Sequence, residues 1–232
     1  VSRTAVWKAI HQLEEEGYRI EAVPRKGYHM VETPDVVCKE EILSLLETKW
    51  AGRNLVYLET VDSTNDLAKK LADQGAPEGT LVVADEQTGG KGRRGRAWCT
   101  PKGSAIAMTI VLRPDIRPEL ASMVTLVMGL SVAKAIGSLY PVSVGIKWPN
   151  DVVVNGKKIC GILTEMSAEM TGIHYLVIGT GINTNVEEFP EEIQSVATSL
   201  IKELGEKVNR AELIAACLKY FEEYYEKYIA AG

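Results

Sequence analysis

The residues best equipped for chemistry are Gly90-Lys91-Gly92-Arg93-Arg94-Gly95-Arg96-Ala97-Trp98. Gly90, Gly92 and Gly95 carry no Cβ, so backbone N–H groups there can approach an anion closely. Lys91, Arg93, Arg94 and Arg96 add full positive charge, and Trp98 adds a flat apolar surface with one donor. A lid over a phosphorylated, partly apolar ligand fits this composition. Taken alone, a solvated surface loop or an RNA-binding tail fits it as well.

Four further runs narrow the choice: Asp62-Ser63-Thr64-Asn65, Lys147-Trp148-Pro149-Asn150-Asp151, Asn155-Gly156-Lys157-Lys158-Ile159-Cys160-Gly161-Ile162-Leu163 and Gly179-Thr180-Gly181-Ile182-Asn183. In this order and spacing they resemble the biotin protein ligases. The N-terminal segment resembles the subgroup that doubles as a DNA-binding repressor. The resemblance runs from Val1 to about Tyr228.

That resemblance implies an ATP-dependent reaction in two steps. Biotin is first activated as biotinyl-5′-AMP, and one carrier-protein lysine then attacks the adenylate. Such chemistry needs two anions held together, a polarised α-phosphate and water kept out. Lys158 matches the lysine that contacts both the biotin carboxylate and the α-phosphate, whereas Lys157 reads as a solvated edge residue. Arg93 matches the phosphate-contacting arginine; Arg94 and Arg96 are assigned to pyrophosphate contact or loop support. Lys91 stands where many relatives carry arginine, so the planar fork is missing there. Trp98 covers the adenine or packs the ordered loop. Asn150 and Asn183 match adenine-side positions, and Asp151 is placed to orient or deprotonate the incoming lysine.

Ser63, Thr64, Asn65 and Gln87 offer the donors and acceptors that a ureido ring needs. Gly90, Gly92, Arg93, Arg94, Gly95, Lys158 and Gly161 complete the implied biotin contacts, with Gly161 leaving room beside a strand. Magnesium is expected with ATP, held by phosphates and its own waters rather than by a dedicated protein site. The implied acceptor is the biotin carboxyl carrier protein of acetyl-CoA carboxylase, or the biotin domain of pyruvate carboxylase. A lipoate ligase shares the logic but its substrate lacks a ureido ring. A repressor with the adenylate as corepressor, and a biotin-binding module without activity, are the other readings.

The elements that must position these residues are also readable. Ser2 caps a helix bearing Val6, Ile10 and Leu13, stopped at Gly17, and strands Tyr18 to Val23 and Gly27 to Val31 follow around Pro24-Arg25-Lys26. Helix then hairpin fits either the back half of a winged helix-turn-helix or a small packing unit with no DNA role; the resemblance to repressor-type ligases favours the first and implies Ser2, Arg3, Thr4 and Lys8 facing DNA. The chain opens at Val1 inside this motif, so a fragment is expected. Thr33-Pro34-Asp35 reads as the linker, dividing residues 1–33 from a catalytic domain of 34–232. Val36 to Trp50 reads as a helix, Leu55 to Leu58 as a strand, and Ser63 or Asp62 as the cap of a helix to about Ala72. Strands Thr80 to Ala84 and Ser104 to Leu112 come next, then a long helix, Pro118 to Leu139. Val142 to Lys147, Asp151 to Val154, Lys158 to Met166 and Ile173 to Gly179 read as strands, the last as an edge able to pair in a dimer. A final helix runs from about Arg210 to Tyr228. The fold expected is α+β, an antiparallel-rich mixed sheet with helices on its faces, like class II aminoacyl-tRNA synthetases. The resemblance implies a small SH3-like barrel after the last helix, and the residues up to Gly232 are not expected to include it.

At 232 residues with a net charge of −5, the chain is not a protein whose whole surface binds nucleic acid. Cys38, Cys99, Cys160 and Cys217 and the three histidines His11, His29 and His174 show no metal-ligand spacing. Neither a signal peptide nor a bilayer-length apolar run is evident, and a cytosolic address is expected. Operator DNA, for the full-length protein, and a homodimer of the adenylate-bound form complete the implied partners.

Overall fold

The computed structural model describes residues 2–15, 18–24, 26–32, 35–169 and 172–231. Gly17 as a helix stop, Arg25 in the hairpin joint, and Thr33 and Pro34 in the linker lie outside the described residues, as does the 33/34 boundary. The chain separates into two compact units, 1–36 and 37–232.

In the first unit α1 (Arg3–Glu15) is followed by an antiparallel hairpin of β1 (Arg19–Val23) and β2 (Gly27–Glu32). Ser2 caps α1, its Oγ accepting from Ala5 N at 3.2 Å. None of the residues of α1 is buried, and Val6 and Trp7 are exposed.

In the second unit the elements run α2 (Lys39–Leu45), β3 (Leu55–Val61), α3 (Thr64–Asp73), β4 (Leu81–Gln87), β5 (Ala105–Leu112), α4 (Ala121–Leu139), β6 (Val144–Lys147), β7 (Asp151–Val154), β8 (Lys157–Glu169), β9 (Gly172–Asn183), α5 (Leu200–Leu204) and α6 (Arg210–Ala230). The strands form one seven-stranded sheet in the order β3-β4-β5-β9-β8-β7-β6. Only β3 and β4 run parallel; the other neighbours are antiparallel. Every residue of β5 is buried, as a strand covered on both faces requires.

One face carries the main core, where Val124, Met128, Val132, Ala135 and Ile136 of α4 meet Leu213, Ile214, Leu218 and Phe221 of α6 above the sheet. On the opposite face Ala68 and Ala72 of α3 pack on Val82, Val111, Tyr175 and Val177. Since α3 is ten residues long, it covers only part of that face. Beside it the sheet presents Ala107, Gly161, Gly179 and Gly181. Small residues there leave a concavity where larger side chains would have made a flat, filled surface.

Several sequence expectations need correction. The helix expected over Val36 to Trp50 spans only Lys39–Leu45, with Cys38 capping it and Leu46 already extended. The segment beyond Leu46 is held instead by Glu222, whose carboxylate accepts from the backbone N–H groups of Lys49, Trp50 and Ala51 at 2.8 to 3.0 Å. The strand over Ile173 to Gly179 is no edge: β9 lies between β5 and β8 and runs on to Asn183. The stretch Pro118–Leu139 is long and apolar enough to cross a membrane, contrary to the composition-based expectation. It opens with a 3-10 turn at Pro118–Leu120, and α4 then buries one side in the core.

Glu222 gives a stability prediction. Burial acts to raise its carboxyl, but the three backbone donors together hold it below the usual carboxylate range. A carboxylate lowered in this way stabilises the fold above its unfolded pKa, and that contribution fades as pH falls through the folded value. Glu222→Gln should cost about 2 kcal/mol near neutral pH and flatten the acid limb of a thermal-unfolding series. An unchanged acid limb would refute this role.

Candidate active site

The glycine-spaced basic segment folds as a tight hairpin rather than an open loop. Gln87 bridges to Thr100 and Lys91 to Ala97, while Trp98 N donates to Gly90 O at 2.8 Å and Gly92 N to Arg96 O at 2.7 Å. A Cβ on Gly90 would lie 2.3 Å from the Trp98 carbonyl oxygen, so this crossing admits only glycine. At the tip Arg94 and Gly95 both take positive φ, 58° and 73°.

The hairpin turns Trp98 inward over the glycine floor. Its indole packs where side chains at Gly161 and Gly181 would otherwise stand; a Cβ would meet it at 2.9 and 2.3 Å respectively. Lys158 Nζ lies 5.4 Å from the ring centroid. Trp98 Nε1 is buried without a hydrogen-bond acceptor among the described residues, a donor left for a ligand to satisfy. Trp98 fills much of the space above the glycine floor. The free volume beneath it is about 40 Å³, small beside the roughly 300 Å³ at which ligand pockets begin.

At the polar end, Ser63 caps α3 by accepting from Asp66 N at 3.4 Å. Gln87 Oε1 accepts from Thr64 N at 2.9 Å and Thr64 Oγ1 at 3.0 Å. Thr109 Oγ1 stands 2.9 Å from Thr64 Oγ1 and 2.7 Å from Asn65 Oδ1. Asn65 Nδ2 donates to Leu163 O at 3.2 Å and Glu165 Oε2 at 2.8 Å. Ser63, Thr64 and Asn65 are all buried. The set is therefore pre-oriented, with each rotamer fixed by a partner.

At the charged end, Lys158 Nζ pairs with Asp151 Oδ1 at 2.8 Å. That contact has the distance of an ion pair but not the angle of a hydrogen bond, since Asp151 Oδ1 has no hydrogen-bond donor. Arg93 Nη1 donates to Asn150 Oδ1 at 2.7 Å, and Asn150 Nδ2 to Ile162 O at 3.1 Å. The turn that carries Asn150 has a cis Trp148–Pro149 peptide. The next turn, Asn155-Gly156, has both residues at positive φ, 51° and 76°, as a type I′ hairpin needs. It starts β8 so that Lys157 is exposed and Lys158 faces the cavity.

The cavity thus brings together Ser63, Thr64, Asn65, Gln87, Gly92, Trp98, Asn150, Lys158 and Gly161. Arg93 touches its rim through Asn150. Arg94, Gly95 and Arg96 are exposed on the hairpin tip, and Asn183 stands apart, its Nδ2 donating to Thr198 O at 3.1 Å. Asp151 reaches the site through Lys158. In the first unit Arg3, Thr4 and Lys8 are exposed along α1. Sequence reasoning did not single out Thr109, Asp66 or Glu165, and it quoted Gly179 and Gly181 only as part of a run, with no role assigned to either. The alternation Gly179-Thr180-Gly181 within an apolar strand was the available signal, because period two puts both glycines on one face.

Burial pushes the Cys160 and Cys217 thiols up, so neither is a thiolate nucleophile near neutral pH. Among the described residues, no group of three His, Cys, Asp or Glu could hold a metal ion.

Comparison with known proteins fits this geometry. Residues 57–183 match the biotin/lipoate A/B protein ligase family, and residues 1–29 match an HTH domain. The chain belongs to the biotin/lipoate A/B protein ligase family. It is 45% identical over 233 aligned positions to the bifunctional ligase/repressor BirA of Bacillus spizizenii, covering all of this chain and 72% of that protein. Identity to the Escherichia coli protein of the same description is 30%, over 96% of this chain and 70% of the relative. The fold matches a biotin protein ligase from Aquifex aeolicus in complex with biotin and ATP, with a TM-score of 0.68 and 36% identity over 77% of this chain and 72% of that one. A Leishmania major biotin protein ligase in complex with biotinyl-5-AMP matches with a TM-score of 0.63 and 29% identity, over 77% and 79% of the two chains.

Proposed function

We propose that this chain is a biotin protein ligase that makes biotinyl-5′-AMP from biotin and ATP and passes the biotinyl group to a carrier lysine. A carboxylate oxygen of biotin attacks the α-phosphorus and pyrophosphate leaves. The lysine amine then attacks the acyl carbon, and AMP leaves with the electron pair of the acyl–oxygen bond. The observation carrying this reading is one cavity with a pre-oriented neutral polar end, Ser63, Thr64, Asn65 and Gln87, and a cationic end at Lys158. A ureido ring suits the first and two adjoining anions suit the second. A lipoyl chain offers no donor or acceptor to this pre-oriented set, so it would gain none of the hydrogen bonds that a ureido ring makes there.

In this reading Lys158 leaves Asp151 for the carboxylate and α-phosphate, and its charge offsets their repulsion as the phosphorus becomes pentacoordinate. Asp151, released, is free to orient the incoming lysine and to accept the proton that its amine gives up as the amide bond forms. Arg93 exchanges Asn150 for phosphate, and Arg94 and Arg96 move toward pyrophosphate as the hairpin tip closes. The closed Trp98 excludes water from the adenylate. Gly90, Gly92, Gly95 and Gly161 supply backbone approach, and Asn150 and Asn183 stand on the adenine side. Magnesium belongs with the ATP phosphates and their waters.

The proposed acceptor is a biotin carboxyl carrier domain, of acetyl-CoA carboxylase or pyruvate carboxylase, and the proposed setting is the cytoplasm. With carrier, biotin and ATP, the carrier mass should rise by one biotinyl group. Lipoate in place of biotin should give no shift; a lipoyl adduct would overturn the reading.

The HTH match over residues 1–29 favours a second role as a biotin-operon repressor. Here residues 1–33 form the DNA-reading segment, with Ser2, Arg3, Thr4 and Lys8 toward the operator, and 34–232 the catalytic part. The full-length protein binds as a homodimer when the adenylate is present. An operator band shift with biotin plus ATP, absent with either alone, is the expected result; a shift indifferent to ligand would contradict it.

A further inference from the structure

Beside the packing of Trp98 on the glycine floor, two polar side-chain tethers tie the basic hairpin to the rest of the second unit, and they differ in kind. One is Arg93 to Asn150, a neutral acceptor that a phosphate can replace. The other is Lys91, whose Nζ lies 2.6 Å from Asp66 Oδ2. Asp66 sits in the first turn of α3, where the helix dipole favours a negative charge. Its other oxygen takes Lys69 Nζ at 3.0 Å, and Lys69 Nζ also reaches Glu165 Oε1 at 2.8 Å. Glu165 Oε2 in turn accepts from Asn65 Nδ2 at 2.8 Å. An unbroken chain of charge-assisted contacts therefore runs from the hairpin to the amide that reads the ligand.

We propose that Asp66 is a positioning residue that straps the hairpin shut through Lys91 and, through Lys69 and Glu165, couples that closure to the orientation of Asn65. The substrate side of this inference rests on the ligase reading; the strap itself rests on geometry alone.

Three physical points support it. The hairpin's own backbone bonds, Trp98 N to Gly90 O and Gly92 N to Arg96 O, hold it to itself and not to the sheet. Gly90 and Gly92 flank Lys91 and bring no side chains of their own, so Lys91 is the side chain that can fasten this arm. Finally, the strap is of the right strength. The Lys91 side chain is 52% exposed against 23% for Asp66, and a partly exposed pair is worth little enough to open for substrate entry. Arg93 is the exchangeable tether, consumed when phosphate binds. A carboxylate gains nothing by facing phosphate, so Asp66 keeps Lys91 and the hairpin stays fastened. The Lys91 ammonium, foremost, holds the Asp66 carboxyl below its usual range, as a persistent pair requires.

The test uses the whole chain, first without ligand and then with biotin and ATP. Two rates are read: trypsin cleavage after Arg93, Arg94 and Arg96, and dissociation of biotinyl-AMP. Asp66→Asn and Lys91→Met should each speed both by roughly three- to tenfold. The double variant should be no faster than the singles, because they cut one strap. Salt of about 0.5 M should speed cleavage of the wild type toward the variants. Lys227→Met, which breaks an ion pair with Glu223 on α6, is the control and should change neither rate. Unchanged rates in the single variants, or multiplied effects in the double, would overturn the strap. A helix-capping role for Asp66 alone would leave Lys91→Met without effect. If the wild type traps no adenylate, the ligase reading fails, and the unliganded cleavage rates still decide the strap.

Discussion

Lys158→Ala should slow adenylate formation by about three orders of magnitude, while Lys157→Ala should change it by about twofold or less. The two lysines are neighbours in sequence and identical in type, so composition cannot separate them. Strand geometry does: successive side chains on β8 point to opposite sides. The Asn155-Gly156 turn fixes which one faces the cavity. Lys158 is held 2.8 Å from Asp151 and beside Trp98, and its backbone is pinned between Val196 and Ala197-Thr198. Its ammonium is held at the cavity before any substrate arrives, and the exchange of Asp151 for the substrate anions falls on binding rather than on the reaction step. Lys157 is exposed and its charge is screened by water. Rapid-quench formation of biotinyl-AMP under single-turnover conditions measures the difference. Equal losses in both variants would remove Lys158 from its assigned role.

The second large effect is at Gly179. A methyl group there would lie 2.0 Å from Asn65 Oδ1 and 2.8 Å from Asn65 Cγ. Contacts that short are not tolerated, so one neighbour must move. Asn65 cannot move cheaply, because it is bound to Leu163 O, Glu165 and Thr109 at once. Gly179→Ala should weaken biotin binding by about two orders of magnitude, the sum of a strained strand and a displaced amide. Gly145→Ala, where the closest approach is 3.3 Å to a Val153 methyl far from the polar cluster, should leave biotin affinity nearly intact. Titration calorimetry with biotin alone reads this binding without any need for catalysis. Native affinity in Gly179→Ala would mean that Asn65 does not read the ligand.

What could be read from the sequence was what is encoded locally. Ser63 as a helix cap, the Asn155-Gly156 turn, the apolar run of β5 and the one-sided helix at Arg210 depend on residues within a few positions of one another. The basic hairpin was recognisable because glycine spacing and charge both point to an anion. The cluster of Ser63, Thr64, Asn65 and Gln87 was found by type. Its partner Thr109 was not, because a threonine inside an apolar strand carries no mark of its own.

The misses share one cause: each depends on a partner distant in the chain. The end of α2 is set by Glu222, more than 170 residues away in sequence, so helical periodicity over Val36 to Trp50 overran it. The place of β9 is set by β5 and β8 on either side, and nothing within Ile173 to Gly179 reveals two neighbours. Gly179 was read as the end of a strand and Gly181 was given no role, whereas both are floor glycines within β9. Asp66 and Lys91 are ordinary surface residues until the hairpin folds back by 25 positions to join them.

One measurement decides whether this cavity activates biotin. The protein is mixed with ATP and either biotin or lipoate at enzyme excess, quenched, and the acyl-AMP is identified by mass spectrometry. Biotinyl-AMP with biotin, and no lipoyl-AMP with lipoate, is the predicted result. Lipoyl-AMP, or no adenylate from biotin while biotin still binds, would contradict the assignment of this cavity as a biotin-activating site.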